Sequence, residues 1–348
     1  MTATTTTPTP DPTRTPGATR RSWPRRLGRT ALWVIAILTV LALVGAAVQA
    51  VAQRRDAAAH PPPGELVTLP DGRQLHLQVA GEAHDGPIVV FEGGAGASSA
   101  AWGWIAPTVA EHATVVTYDR AGLGWSDTSP HEPSTDATLA DLRDALDARG
   151  LPGPYLLVGH SLGAHYVREF AAAHPDEVAG MVLVDPSHEG ASEVMGMTSD
   201  QMWPTVAGLR AATRLGLLRL YNPFAAEIEA LPQPHRDQAL TQIVSTRYAR
   251  TFGAEMLALD TIGATLPTGE GVLADIPLRV LIARGGATNP DQRRQVDDLA
   301  ELRAHMAAMS TDGQTITLHD ASHVSIITDQ QHAATVTDTI IELLHQMR

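Results

Sequence analysis

From Glu65 onward the chain alternates short, β-branched apolar runs with longer stretches in which apolar residues return every three or four positions. The first pattern suits strands buried on both faces, and the second suits helices packed along one face. Strands are expected at 65–69, 74–79, 87–91, 113–118, 155–158, 178–184, 278–283 and 315–318, with helical spacing at 99–111, 136–149, 162–174, 291–309 and 329–347. Such alternation predicts an α/β domain over 65–348, a mostly parallel eight-stranded sheet flanked by helices on both faces. Pro70, Asp71 and Gly72 form a turn signal between the first two runs, which should pair as an antiparallel hairpin at the sheet edge. Residues 187–276 break the rhythm, being longer than one crossover helix needs, helical in spacing and rich in Met, Trp and Ala (Met195, Met197, Met202, Trp203, Tyr221, Phe224, Met256). This interval reads as an inserted helical cap, whose core and pocket wall can be the same surface.

Upstream the pattern differs in kind. Residues 30–52 carry no charge, and at about 1.5 Å per residue they are long enough to cross a bilayer core. A single transmembrane helix over 30–52 is therefore predicted. Before it, 1–29 is a Thr-, Pro- and Ala-rich leader with too little apolar surface to order itself, ending in Arg20, Arg21, Arg25, Arg26 and Arg29. Those five arginines against Arg54 and Arg55 on the far side put the N-terminus in the cytoplasm and the bulk of the chain outside, with the bilayer as a partner. Ala50, Val51 and Ala52 also fit a small-x-small cleavage pattern, so a domain secreted after signal cleavage is the alternative. Prolines at 61, 62 and 63 mark 53–64 as a short stiff linker.

Composition then narrows the chemistry. The chain has 348 residues, 44% hydrophobic and 18% charged, enough for at least one full core. It has no cysteine, which removes disulfides, thiolate nucleophiles and Cys-ligated metals. All 25 basic residues are arginine, which removes lysine Schiff bases, a pyridoxal-phosphate anchor and a P-loop lysine. Of the formal charge of −13, residues 1–55 hold eight Arg against one Asp, so the body from 56 on is strongly acidic. A phosphate backbone would repel it, and no nucleic-acid partner is expected. The histidines lack metal-ligand spacing and no G-x-G-x-x-G follows the first strand, so neither metal nor cofactor is expected.

The chemistry is carried by Gly159-His160-Ser161-Leu162-Gly163, a G-x-S-x-G motif between an expected strand and an expected helix. A turn that tight holds the serine in a strained conformation, and flanking glycines leave room for the neighbouring strand and helix. The helix N-terminus directs its free N–H groups toward the reacting oxygen. His160 is expected to pack beneath the turn.

With this motif the chain resembles the α/β-hydrolase fold family over about 65–347. Tyr118-Asp119-Arg120-Ala121-Gly122-Leu123-Gly124-Trp125-Ser126 is similar to that family's D-x-R-G-x-G-x-S loop, with one extra Ala. Phe91-Glu92-Gly93-Gly94-Ala95-Gly96 stands where the family usually reads His-Gly-x-Pro/Gly, with Glu92 in place of His. The resemblance implies Ser161 as nucleophile, the backbone N–H groups of Gly94 and Leu162 as oxyanion hole, and His323, on the loop after the last strand, as base. His319 is a poor competitor, falling within that strand. The acid is open between two positions. The loop after the seventh strand aligns its usual acid with Asn289, and Asp291, two residues later, is placed as a helix cap. Asp185, ending the sixth strand, is the favoured alternative, since haloalkane dehalogenases carry their acid there.

A serine rather than an aspartate at the elbow argues against dehalogenase and epoxide hydrolase chemistry, which need a carboxylate nucleophile. The expected function is a serine hydrolase acting on a small-molecule ester or amide, with a carboxylic ester of apolar acyl side first. The cap methionines with Trp102, Trp104 and Trp125 are candidate apolar walls, packing being the other role for the tryptophans. The alternatives are a peptidase resembling proline iminopeptidases, with Glu227, Glu229 or Glu255 gripping a substrate amine, and a non-catalytic membrane-tethered binding module.

Overall fold

The computed structural model of the chain describes residues 23–81, 84–189, 198–262 and 269–347, with isolated positions at 2–5, 7, 191, 194 and 266. Most of the leader, including Arg20 and Arg21, lies outside the described residues, as do Met195 and Met197 of the cap. The chain divides into two compact units, Met1–Val44 and Gly45–Arg348. In the first, the described part is the opening of a helix, Trp23–Ala59, whose Leu32, Ile35, Leu38 and Leu41 are all exposed. Among the described residues this is the one helix long and apolar enough to cross a membrane. It overruns the span expected at 30–52 at both ends. Beyond Ala52 no residue breaks it, alanines at 57–59 favour it, and the prolines at 61–63 stop it. The linker expected over 53–64 is thus non-helical only from His60.

The second unit is built on an eight-stranded sheet: β1 Glu65–Thr68, β2 Gln74–Ala80, β3 Ile88–Glu92, β4 Val115–Tyr118, β5 Tyr155–His160, β6 Val178–Val184, β7 Leu278–Ala283 and β8 Gly313–Leu318. Its order is β1-β2-β4-β3-β5-β6-β7-β8. The pairs β1/β2 and β2/β4 are antiparallel and all others parallel. Strands β4, β5 and β7 are buried at every residue, as strands covered on both faces must be. Alternate side chains feed two cores. Val90, Leu157, Leu183 and Val280 pack with Leu142, Tyr166 and Phe170 from the helices Thr135–Ala148 and Gly163–Ala173. Phe91, Val158, Val182 and Leu281 pack with Trp102, Ile105 and the C-terminal helix Gln330–Gln346.

The helix expected over 99–111 is instead two short turns, Ser99–Trp102 and Ala106–Val109. Gly103 interrupts them, packed so tightly that a Cβ there would come within 2.7 Å of the His235 ring. Between β6 and β7 lie the helices Ser199–Arg214, Ala225–Glu229, His235–Ile243 and Thr246–Ile262. They form a cap with a small core of its own around Leu218, Ile243 and Val244.

Candidate active site

Strand β5 ends at His160, and the helix Gly163–Ala173 starts three residues later. Ser161, between them, has φ +53°, a left-handed conformation that costs a non-glycine residue energy and persists only where its surroundings enforce it. The enforcement is visible on both sides. Its N–H donates to Val184 O at 3.2 Å, and its carbonyl accepts from Ser187 N at 3.0 Å. A Cβ at Gly159 would lie 2.7 Å from Gly163 O, and one at Gly163 would lie 2.3 Å from Glu92 O. Both glycines are steric requirements of the turn.

His323 reaches the turn from the loop after β8. Its Nε2 lies 2.9 Å from Ser161 Oγ and its Nδ1 lies 2.5 Å from Asp185 Oδ2. Asp185 follows β6, is 1% exposed and also has positive φ, +41°. Its second oxygen, Oδ1, accepts from Ala283 N at 2.8 Å and from Arg303 Nη1 at 2.9 Å. Burial alone would push this carboxyl up. The hydrogen bond and electrostatic attraction of the His323 imidazole, the charge of Arg303 and the Ala283 N–H outweigh it and hold the carboxyl below its ordinary value. Asp291 is elsewhere, on the surface in an ion pair with Arg294, and Asn289 caps the helix Pro290–His305 by accepting from Gln292 N at 2.9 Å. His319 is exposed just past β8. Arg303 carries no motif, and only its helical register with buried Leu299 and Ala300 marks it as facing inward.

His160 does sit beneath the turn, and it does more than pack. A carbonyl can only accept, so its Nε2 carries the hydrogen and donates to His323 O at 2.9 Å. Burial first, and then the neighbouring His323, push its imidazole down to about 3, so it is neutral. Its ring lies between Trp102 and the ring of His323.

The loop after β3 abuts Ser161: a Cβ on Gly94 would lie 3.1 Å from Ser161 Cβ and 3.0 Å from His160 Nδ1. A buried charge cluster fixes this loop. Arg120 donates from Nη1 to Gly93 O and from Nη2 to Gly94 O, both at 2.6 Å. It also pairs with Glu92 Oε1 at 2.6 Å and with Glu255 Oε1, on the cap helix Thr246–Ile262, at 2.9 Å. Glu255 Oε2 accepts from Gly96 N at 2.7 Å, and Tyr118 OH donates to Glu92. A trans peptide points its C=O and N–H in opposite directions, so Arg120's hold on Gly93 O turns the Gly94 N–H away from Arg120. Leu162 opens its helix, where an N–H has no carbonyl one turn back to bond. The departure at Glu92 thus has a partner in Arg120. Glu255, a candidate grip for a substrate amine, faces inward instead and is already taken. Asp119 braces the adjoining loop, accepting from Ser99 N, Trp125 N and His76 Nδ1 at 2.7, 3.0 and 2.8 Å.

A family model for the alpha/beta hydrolase fold matches residues 86–242. The solved enol-lactonase of Burkholderia xenovorans LB400 superposes with a TM-score of 0.58 over 81% of this chain and 100% of its own, at 19% identity. This is an α/β-hydrolase fold. Among relatives by sequence, the uncharacterised protein YqjL of Bacillus subtilis is 35% identical over 117 residues, 34% of this chain and 46% of YqjL. The 2-hydroxy-6-oxononadienedioate/2-hydroxy-6-oxononatrienedioate hydrolase of Paraburkholderia xenovorans is 27% identical over 183 residues, 50% of this chain and 61% of its own length. The chain spans about half the length of the curated relatives it matches.

Within the α/β-hydrolase fold, the space between sheet and cap is a cavity of about 460 Å³ reached by Ser161 and His323. Phe224, Ile228, Leu231, Tyr248, Phe252 and Met256 of the cap supply much of its apolar wall. Trp102, Trp104 and Trp125, candidates for that wall, are committed elsewhere. Trp102 is buried against Phe91, Trp104 donates to Ala230 O and Thr328 O, and Trp125 donates to His60 O. Among the described acidic residues of the cap, Glu227 borders the cavity beside Ser161, while Glu229 is exposed outside it. Among the described residues no group of three or more His, Asp and Glu side chains is arranged to hold a metal.

Proposed function

We propose that this chain is a serine hydrolase that cleaves a carboxylic ester through an acyl-enzyme, tethered to the membrane by its N-terminal helix with the hydrolase domain outside. The observation that carries the reading is the contact path from Ser161 Oγ through His323 to Asp185, at 2.9 and 2.5 Å, at one side of an apolar cavity. A carboxylate can only accept, so His323 Nδ1 keeps its hydrogen toward Asp185 and Nε2 is left to accept from Ser161. As Ser161 Oγ bonds to the ester carbon, its proton passes to Nε2. The carbonyl becomes an oxyanion facing the N–H groups of Gly94 and Leu162, a stabilisation of about 3–4 kcal/mol per donor in comparable sites. Collapse breaks the C–O bond to the alcohol, which leaves with the proton from Nε2. Water then attacks the acyl-serine, giving its proton to the same nitrogen, and the acid departs as Ser161 is reprotonated. The aliphatic and aromatic lining suits an apolar acyl group.

The test is a panel of p-nitrophenyl esters of increasing acyl length, with proline-p-nitroanilide beside it, on the full chain in detergent. Ester turnover that vanishes in Ser161→Ala supports the reading. Undiminished turnover in Ser161→Ala, or preference for the anilide, contradicts it.

A further inference from the structure

The second unit contains its own stretch of the apolar helix, residues 45–59, and the cap holds it tightly. Gln49, 1% exposed, donates from Nε2 to Val244 O at 2.7 Å and accepts from Arg219 Nε at 2.6 Å. Arg219 Nη2 reaches Asp56 Oδ2 at 2.5 Å. Gln53 Oε1 accepts from Thr246 N at 2.6 Å and from Thr246 Oγ1 at 2.9 Å. The backbones meet as well, since a Cβ on Gly45 would lie 2.6 Å from Leu215 O. The gripped turn also meets the cavity wall: its Leu218 packs in one small core with Ile243 and Val244, against which Phe224, Ile228 and Tyr248 pack, and of these Ile243, Phe224, Ile228 and Tyr248 line the cavity.

The turn gripped by Gln49 also carries conspicuous apolar exposure. Leu220 is 84% exposed, Tyr221 76% and Leu217 47%. Gathered on one turn, such residues mark a surface made for something other than water. Gly45 and Gln49 belong to the uncharged run 30–52, and Gly45 lies about 10 Å along the axis from its end at 1.5 Å per residue. A turn that touches Gly45 and Gln49 shares the depth of those residues. With 30–52 in a bilayer, Leu217, Leu220 and Tyr221 meet lipid, a setting that also suits an interfacial tyrosine. Arg219, between them, has its charge answered by Asp56.

The geometry points to a lipid-facing entrance: the 217–221 turn sits in the membrane surface, and the cavity whose wall continues from it draws an apolar ester dissolved in the bilayer. This rests on the membrane reading of 30–52 and, for the ester, on the serine-hydrolase reading. The helix is then part of the cap as well as a tether, and cleavage after Ala52 would strip Gly45 and Gln49 from it.

Because the chain has no cysteine, Leu220→Cys and, at the opposite end of the sheet, Asp176→Cys give single labelling positions. With bimane on each in full chain reconstituted into phosphatidylcholine vesicles, doxyl lipids should quench position 220 strongly and position 176 weakly. Equal weak quenching at both overturns the proposal, as does disulfide cross-linking of position 220 between copies without quenching. A Leu220→Ser/Tyr221→Ser variant should keep turnover of a water-soluble p-nitrophenyl ester within about twofold. It should lose about tenfold or more on a long-chain ester held in the vesicles, well within what withdrawing two apolar side chains from lipid can cost. Equal losses on both esters, or none on either, overturn it. If wild type turns over neither ester, the hydrolase reading fails by itself and the quenching alone decides where the turn sits.

Discussion

His160 donates from Nε2 to the main-chain oxygen of His323 at 2.9 Å, so the residue preceding the proposed nucleophile holds the backbone of the proposed base. Strand β5 therefore positions both partners of the proposed proton transfer, one through the chain and one through a side chain. His160→Phe keeps the ring and deletes the donor. With His323 free to shift by a fraction of an ångström, kcat should fall about 10- to 100-fold with little change in KM. His319→Phe, on the exposed end of the same segment, should match wild type. Steady-state kinetics on both variants check this.

Asp185→Asn should lower kcat by about 10³ to 10⁴, the scale on which triad catalysis depends on a charged acid. The amide cannot stabilise imidazolium, and it presents a donor to a nitrogen that must itself donate. Asp291→Asn should leave kcat within about twofold, because that carboxylate only pairs with exposed Arg294. Turnover that survives Asp185→Asn and collapses in Asp291→Asn would reverse the assignment.

Acid should weaken the fold well above the carboxylate range. Burial pushes His160 down to about 3, and burial with the nearby Arg168 charge pushes His165 down to about 4. Between those values and 6.5 the unfolded chain binds protons that the folded chain does not, so stability is present above 6.5 and is lost as pH falls. Two such histidines give a slope of about 2.7 kcal/mol per pH unit between 6 and 4. His165→Leu should halve that slope in denaturant titrations followed by tryptophan fluorescence. An unchanged slope would show that His165 is protonated in the folded state.

Glu255→Ala leaves Arg120 half-paired and the Gly96 N–H without its acceptor. Breaking a buried pair on one side costs about 3–5 kcal/mol, and the thermal midpoint should drop by several degrees or more. Glu255→Gln keeps an oxygen for Gly96 and should lose less. Equal losses in the two variants would mean that charge, rather than hydrogen bonding to the loop, is what Glu255 supplies.

What was legible in the chain follows the range of each interaction. The strands are legible because continuous apolar runs such as 155–158 and 178–184 have few other uses. Ser161 is legible because its constraints lie within two residues on either side. The cluster around Glu92 is not, since Arg120 lies 28 positions from Glu92 and Glu255 lies 135 from Arg120, and the three come together only after the cap folds over the loop. Asp185 and Asp291 compete on paper because each follows a strand at the same end of the sheet, and only the fold decides which faces His323. Trp102, Trp104 and Trp125 have the composition of a pocket wall and the positions of packing residues, a difference no periodicity records. The run 99–111 has helical spacing, yet Gly103 and Pro107 split it, and its apolar residues plug the sheet as two turns.

The most direct test of the account is covalent. A fluorophosphonate reacts with a serine only when a neighbouring base takes its proton and an anion hole receives the phosphoryl oxygen, the arrangement proposed around Ser161. Folded full-length protein treated with the probe and examined by peptide mass spectrometry should carry a single adduct on Ser161, lost in His323→Ala and in heat-unfolded protein. An unmodified Ser161 in protein that is demonstrably folded, or equal labelling with and without His323, would contradict it.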